Sequence, residues 1–112
     1  MSYAAAIVQA ILSEPALRHE WLEEVGGMRR RIGELRHEIV RQLRAHCPQR
    51  NFDFIARQRG MFSFFGITAT QVAALRERHH VYMTDDSRMN VAGLRAENLE
   101  YFARAVAQVL AG

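Results

Sequence analysis

Eight apolar side chains, Leu17, Trp21, Val25, Met28, Ile32, Leu35, Ile39 and Leu43, recur at spacings of three and four. That period lays them along one stripe of a single α-helix of about thirty residues. In a chain of 112 residues such a helix takes a large share of the sequence, and its stripe must find a surface to cover. Glu23, Glu24, Arg29, Arg30, Glu34, Arg36 and Arg41 fall on the other faces. Gly26-Gly27 is expected to interrupt or bend the helix, and Pro48 ends it just after His46 and Cys47. Upstream, Ala4 to Leu12 is rich in helix formers and nearly free of charge, so a first helix with an apolar surface is expected there. Ser13-Glu14-Pro15 separates the two: Ser13 is a candidate cap, and Pro15 suits a first helical turn.

Past Asn51 the texture changes. Phe52, Phe54 and Ala56 alternate with Asp53, Ile55 and Arg57, a period of two that predicts a strand. Gly60 turns the chain, and Met61 to Phe65 reads as a short buried strand. Thr68-Ala69-Thr70-Gln71 has the form of a capping box and predicts a helix over about Ala69 to His79. Val81 to Met83 and Met89 to Ala92 read as two further short strands around the polar Asp85-Asp86-Ser87 turn. A last helix is expected from about Glu97 to Leu110, burying Leu99, Phe102, Val106 and Val109. The sum is a single α+β domain over 1–112. A small sheet of short strands would pack against the long amphipathic helix and its flanking helices.

Charge and cysteine content narrow the function classes. The net charge of +3 is mild, and Arg29-Arg30-Arg31 lies among glutamates, which fits a solvated face better than a nucleic-acid footprint. Cys47 is the only cysteine, so no internal disulfide can form. With no signal pattern and no apolar run of membrane length, a cytoplasmic protein without a membrane partner is expected. His37, His46 and Cys47 have no ligand spacing, and the adjacent His79 and His80 diverge on a helix, so no metal site is predicted. All 15 residues of the Lys+Arg count are arginine, so the chain has no lysine amine to offer.

Two residues stand out as binding candidates. Arg88 follows a tight polar turn, where a guanidinium can grip a carboxylate through two parallel hydrogen bonds. By residue type alone the commoner reading is a surface arginine, or one paired with Asp85 or Asp86, and only its flanking motif favours a binding role. Phe62 is open between a pocket wall and the core, while Phe64 is expected in the core.

Taken together, two stretches resemble the C-terminal small domain of the aspartate and aromatic amino-acid aminotransferases. They are Gly60-Met61-Phe62-Ser63-Phe64 and Ser87-Arg88-Met89-Asn90-Val91-Ala92-Gly93. Leu17-Arg18, Trp21, Glu24, Met28-Arg29, Arg31-Ile32 and Gln71-Val72 extend the resemblance over most of the chain. It implies an α+β fold, an Arg88 that binds the substrate's α-carboxylate, and a Phe62 that lines the substrate pocket. Ser87 stands where the family usually has glycine, and Phe65 where it has a small hydroxyl residue. The family's cofactor is pyridoxal phosphate, held on a lysine of a large domain. This lysine-free chain is therefore expected to bind no cofactor alone, to carry no catalytic residue and to be inactive by itself. The resemblance also implies that it begins where the large domain hands over, so that an amino acid and a 2-oxo acid bind only when that domain is present. The face left uncovered, Ile7, Val8, Ile11 and Leu12, predicts self-association. The alternative reading is a stand-alone dimerising module that reuses the fold. Further off lies an arginine-rich binder of nucleic acid.

Overall fold

The computed structural model describes residues 3–112 of the chain, and these fall into two compact units, one reaching to Arg31 and one from Ile32 to Gly112. In the first unit, helix α1 spans Tyr3–Ser13, and Pro15 opens the long helix α2, Pro15–His46. Ser13 does not cap α2. Its hydroxyl turns back and donates to Ala10 O at 3.1 Å, closing α1. Gly26 and Gly27 lie inside α2 without interrupting it, contrary to expectation. Two glycines cost a helix only about 2 kcal/mol in propensity, and the helix runs through them. Of the apolar positions of this unit, Ile7, Val8, Leu17, Trp21, Leu22 and Met28 are exposed, while Val25 is half-buried. The side chains of Ile11 and Leu12 lie outside the described residues.

The second unit holds the core. From Ile32 onward the stripe of α2 turns inward, with Ile32, Ile39, Val40 and Leu43 buried. They pack with Phe52, Ile55, Phe65, Val72, Leu75 and Val91, and with the inner face of helix α4 (Ala96–Ala111). Leu99, Phe102, Val106 and Val109 are buried on α4 at helical spacing, as their period predicts. Phe65 meets Phe102 edge to face, with ring centroids 5.4 Å apart. Helix α3 (Ala69–His79) starts on the capping box foreseen in the sequence. Thr68 Oγ1 accepts from Gln71 N at 3.1 Å, and Gln71 Oε1 accepts from Thr68 N at 2.8 Å.

The sheet is smaller than the sequence suggests. It has two antiparallel strands, β1 (Phe62–Phe64) and β2 (Arg88–Asn90). The expected strand over Phe52–Arg57 is instead a 3-10 turn, Asp53–Arg57. Asn51 Oδ1 accepts from Asp53 N at 2.7 Å and starts that turn, while Phe52 and Ile55 point inward at a spacing of three. Val81–Met83 forms no strand either. Val81 N–H is committed to Leu75 O at 3.1 Å, where it closes the end of α3 over the left-handed His80 (φ 57°). The last strand stops at Asn90 because the Asn90 side chain accepts from Ala92 N at 2.9 Å and opens a 3-10 turn, Val91–Gly93. Among the described residues no helix is long and apolar enough to cross a membrane.

Candidate functional site

The sequence Met61-Phe62-Ser63-Phe64-Phe65 looks buried throughout, yet it alternates. Ser63 and Phe65 are buried, while Phe62 and Phe64 are 59% and 46% exposed. Phe64 is thus not a core residue, and Phe62 is not one either. What fills the inner position is polar: Ser63 meets the guanidinium of Arg36, which reaches over from α2. Gly60, at φ 89°, makes the turn into this strand, a conformation that side chains disfavour.

Strand β2 fixes what stands beside these rings. Phe62 pairs with Asn90, Ser63 with Met89 and Phe64 with Arg88. Residues opposite each other in an antiparallel ladder project to the same face. Phe62, Phe64, Arg88 and Asn90 therefore form one exposed face with two aromatic rings, a guanidinium and an amide. Arg88 lies at the surface there, and among the described ion pairs its partner is Asp86, with Nε to Oδ2 at 3.5 Å. Both side chains are well exposed, so this pair is weak and leaves the guanidinium available.

The turn before Arg88 is tightly made. Ser87 sits at φ 69°, in the left-handed region, and is 1% exposed. A non-glycine residue there costs about 1 kcal/mol. Three hydrogen bonds offset it. Ser87 N donates to Thr84 O at 2.8 Å, Ser87 O accepts from Phe65 N at 2.8 Å, and Ser87 Oγ accepts from Ile67 N at 3.1 Å. Thr84 adds two more constraints: its N–H donates to Arg88 O at 2.9 Å, and its hydroxyl donates to Asp86. The backbone of Arg88 is held on both sides while its side chain projects into solvent.

Arg36 was not singled out in the sequence, where it reads as one more polar residue on the outer face of α2. It is 3% exposed. Its Nε donates to Ser63 Oγ at 3.0 Å, and its Nη2 donates to Gly60 O at 2.6 Å and Phe62 O at 3.0 Å. Burial pulls its pKa below the usual arginine range. The available signal was positional: Arg36 lies one helical turn past Ile32 and just ahead of Ile39, within the stripe rather than opposite it.

The described residues hold no group of three or more His, Cys, Asp or Glu side chains arranged for a metal ion. Cys47 is buried, and burial raises its thiol pKa, opposed in part by Arg50.

Residues 1–106 match the family model of the class I and II aminotransferases. The aromatic-amino-acid aminotransferase of Escherichia coli K12 is 45% identical over 109 residues, covering 97% of this chain and 28% of the relative. The aspartate aminotransferase of Pseudomonas aeruginosa is 43% identical over 109 residues, again 97% of this chain but 27% of its own length. Among solved structures, the aspartate aminotransferase from the cytoplasm of Saccharomyces cerevisiae superposes with a TM-score of 0.93 at 37% identity, over 98% of this chain and 27% of that one. The aromatic-amino-acid aminotransferase of Burkholderia pseudomallei, solved covalently bound to pyridoxal phosphate, superposes with a TM-score of 0.88 at 44% identity, over 97% and 27%. The chain spans little more than a quarter of the length of the relatives it matches. With an α+β fold shared over nearly all of its residues, it belongs to the class I and II aminotransferase family.

Proposed function

We propose that this chain is the C-terminal small domain of an aspartate or aromatic amino-acid aminotransferase. In this reading it supplies the substrate-binding half of a site whose chemistry lies elsewhere. The observation that carries this reading is the shared face of the ladder. Arg88 stands opposite Phe64, two pairs along from Phe62 on the same face, with its side chain exposed and only loosely engaged by Asp86. A guanidinium set in this way binds a carboxylate through paired charge-assisted bonds, and aromatic walls beside it accept an apolar side chain.

Pyridoxal phosphate in such enzymes forms a Schiff base with a lysine and supplies the electron sink for amino-group transfer. The residues here do not fit that task, because the chain has no lysine. Its contribution is to bind and orient: Arg88 holds the carboxylate end of an amino acid or 2-oxo acid, and Phe62 lines its path. Catalytic groups and cofactor would come from a large domain, and the chain alone is inactive. A cytoplasmic setting accords with the single, buried Cys47.

The test is to join the chain to the large domain of an aromatic aminotransferase and assay amino-group transfer to a 2-oxo acid. Activity in the joined protein and none in the chain alone is expected. A joined protein that folds, binds pyridoxal phosphate and still transfers no amino group overturns the reading.

The alternative, a self-associating module, draws on a separate observation, the exposed apolar positions of the first unit. These residues would equally meet a large domain. Sedimentation of the chain with and without that domain separates the two uses.

A further inference from the structure

Arg36 is a buried cation without an anion. None of the ion pairs among the described residues includes it. Burying a charge unpaired is costly, and an apolar residue of similar length would fill the same space at lower cost. All three of its acceptors lie in one segment, Gly60 to Ser63. Nη2 alone donates to the carbonyls of both Gly60 and Phe62, while Nε on the same edge of the planar guanidinium donates to the Ser63 hydroxyl that points inward. On the other edge of the same segment, Met61 O accepts from Val91 N at 2.8 Å.

The alternation of β1 gives this grip its meaning. Side chains along a strand take opposite faces, and a slip of one residue exchanges the two faces. By hydrophobicity alone, Phe62 and Phe64 belong inside and Ser63 outside, the reverse of what the structure shows. Ser63 Oγ accepts the Arg36 Nε–H, and within β1 it reaches that position only when the two rings face outward. The buried guanidinium thus penalises the face that apolar burial would otherwise select.

We propose that Arg36 is a positioning residue. Its side chain sets which face of β1 points outward, and so keeps Phe62 and Phe64 on the face of Arg88. This rests on the reading of that face as the substrate side.

The experiment uses the full chain and its Arg36→Met and Arg36→Lys variants. Two quantities are followed residue by residue: the exposure of the Phe62 and Phe64 rings to a soluble paramagnetic chelate, and amide hydrogen exchange. In Arg36→Met the ring exposure is expected to fall severalfold as the rings turn inward. Exchange at residues 62–64 and 88–91 should rise about ten- to hundredfold relative to Phe102 and Val106 of α4, from the loss of charge-assisted bonds. Arg36→Lys keeps the charge but not the fork, so it should shift both quantities in the same direction by a smaller factor. It decides the matter if the methionine variant does not fold. Rings that stay equally exposed, or exchange that rises equally in α4 and β1, overturn the proposal by making Arg36 a general stabiliser. A titration with 3-phenylpropionate separates this from the functional reading. If the probe leaves this face unperturbed in the chain joined to a large domain, while the variants of the chain behave as expected, the substrate reading fails and the strand-setting role stands.

Discussion

Phe64 and Arg88 are direct partners in the ladder, so an exposed aromatic ring and an exposed guanidinium occupy one face of a two-stranded sheet. Neither is engaged by a strong partner on that face. The ring is denied the core, and the guanidinium has only a distant carboxylate at 3.5 Å. Both make sense if something else occupies that face.

Replacing Arg88 with Leu separates the structural from the functional account. In a protein rejoined to a large domain, Arg88→Leu should lower kcat/KM for amino-group transfer by two to three decades or more, from the loss of about 2–5 kcal/mol of charge-assisted binding. In the chain alone its melting temperature should hardly move, since an exposed pair such as Arg88–Asp86 contributes less than about 1 kcal/mol. Full activity combined with a large loss of stability would make Arg88 a structural residue.

Ser87 gives a prediction about strain. Ser87→Gly relieves the backbone at φ 69° but removes the acceptor for Ile67 N–H, and the two effects nearly cancel. Its stability should lie within about 1 kcal/mol of the parent. Ser87→Ala keeps the strained backbone and strands the same buried N–H, so it should lose about 1–3 kcal/mol. Urea unfolding of both variants checks the order, and an alanine variant as stable as the parent would contradict it.

Cys47 predicts a pH dependence. Burial raises its folded-state pKa above the value of the unfolded chain. The unfolded chain therefore releases the thiol proton first as pH rises, which favours unfolding. Stability from this group is fully present below the ordinary thiol pKa and declines from there up to the raised folded value. A Cys47→Ser comparison across mildly alkaline pH isolates the slope. In the same range, alkylation of native protein should be far slower than of unfolded protein. Equal rates would refute the buried placement.

Pyridoxal phosphate mixed with the chain should give no aldimine on a side chain, because no lysine is present. Borohydride reduction followed by peptide mapping should find label only on the N-terminal amine. A stoichiometric adduct elsewhere would refute this.

The first unit predicts association. Ile7, Val8, Leu17, Trp21, Leu22 and Met28 are exposed together on two helices. Patches of this kind usually find a partner. Sedimentation at tens of micromolar, about the range where weak interfaces populate, should show a dimer. A monomer throughout that range would count against it.

Helices were legible in the sequence because their signals are local. The capping box placed α3 on Ala69–His79, and the spacing of Leu99, Phe102, Val106 and Val109 placed α4. The tight polar turn before Arg88 was legible too, in Asp85-Asp86-Ser87. The rest failed where a polar side chain overrides a period. Asn51 turns the alternation of Phe52–Arg57 into a 3-10 turn, and Asn90 cuts the last strand short. The exposure of Phe64 was not legible at all. It depends on Ser63 meeting Arg36, 27 positions earlier in the chain. No local pattern carries a contact of that span.

That span also sets an order of events. Arg36 lies 24 to 27 residues before the groups it holds, and β1 and β2 are separated by the whole of α3. Closing loops of this length must precede any reward from the contacts, whereas helices nucleate from near neighbours. The face shared by Phe62, Phe64, Arg88 and Asn90 is therefore a late product of folding, assembled on helices that already exist. Pulse-labelled refolding should protect amides of α3 and α4 before those of residues 62–64. A chain arrested midway would carry its helices in place while the guanidinium of Arg88 and the rings of Phe62 and Phe64 still lacked a common face.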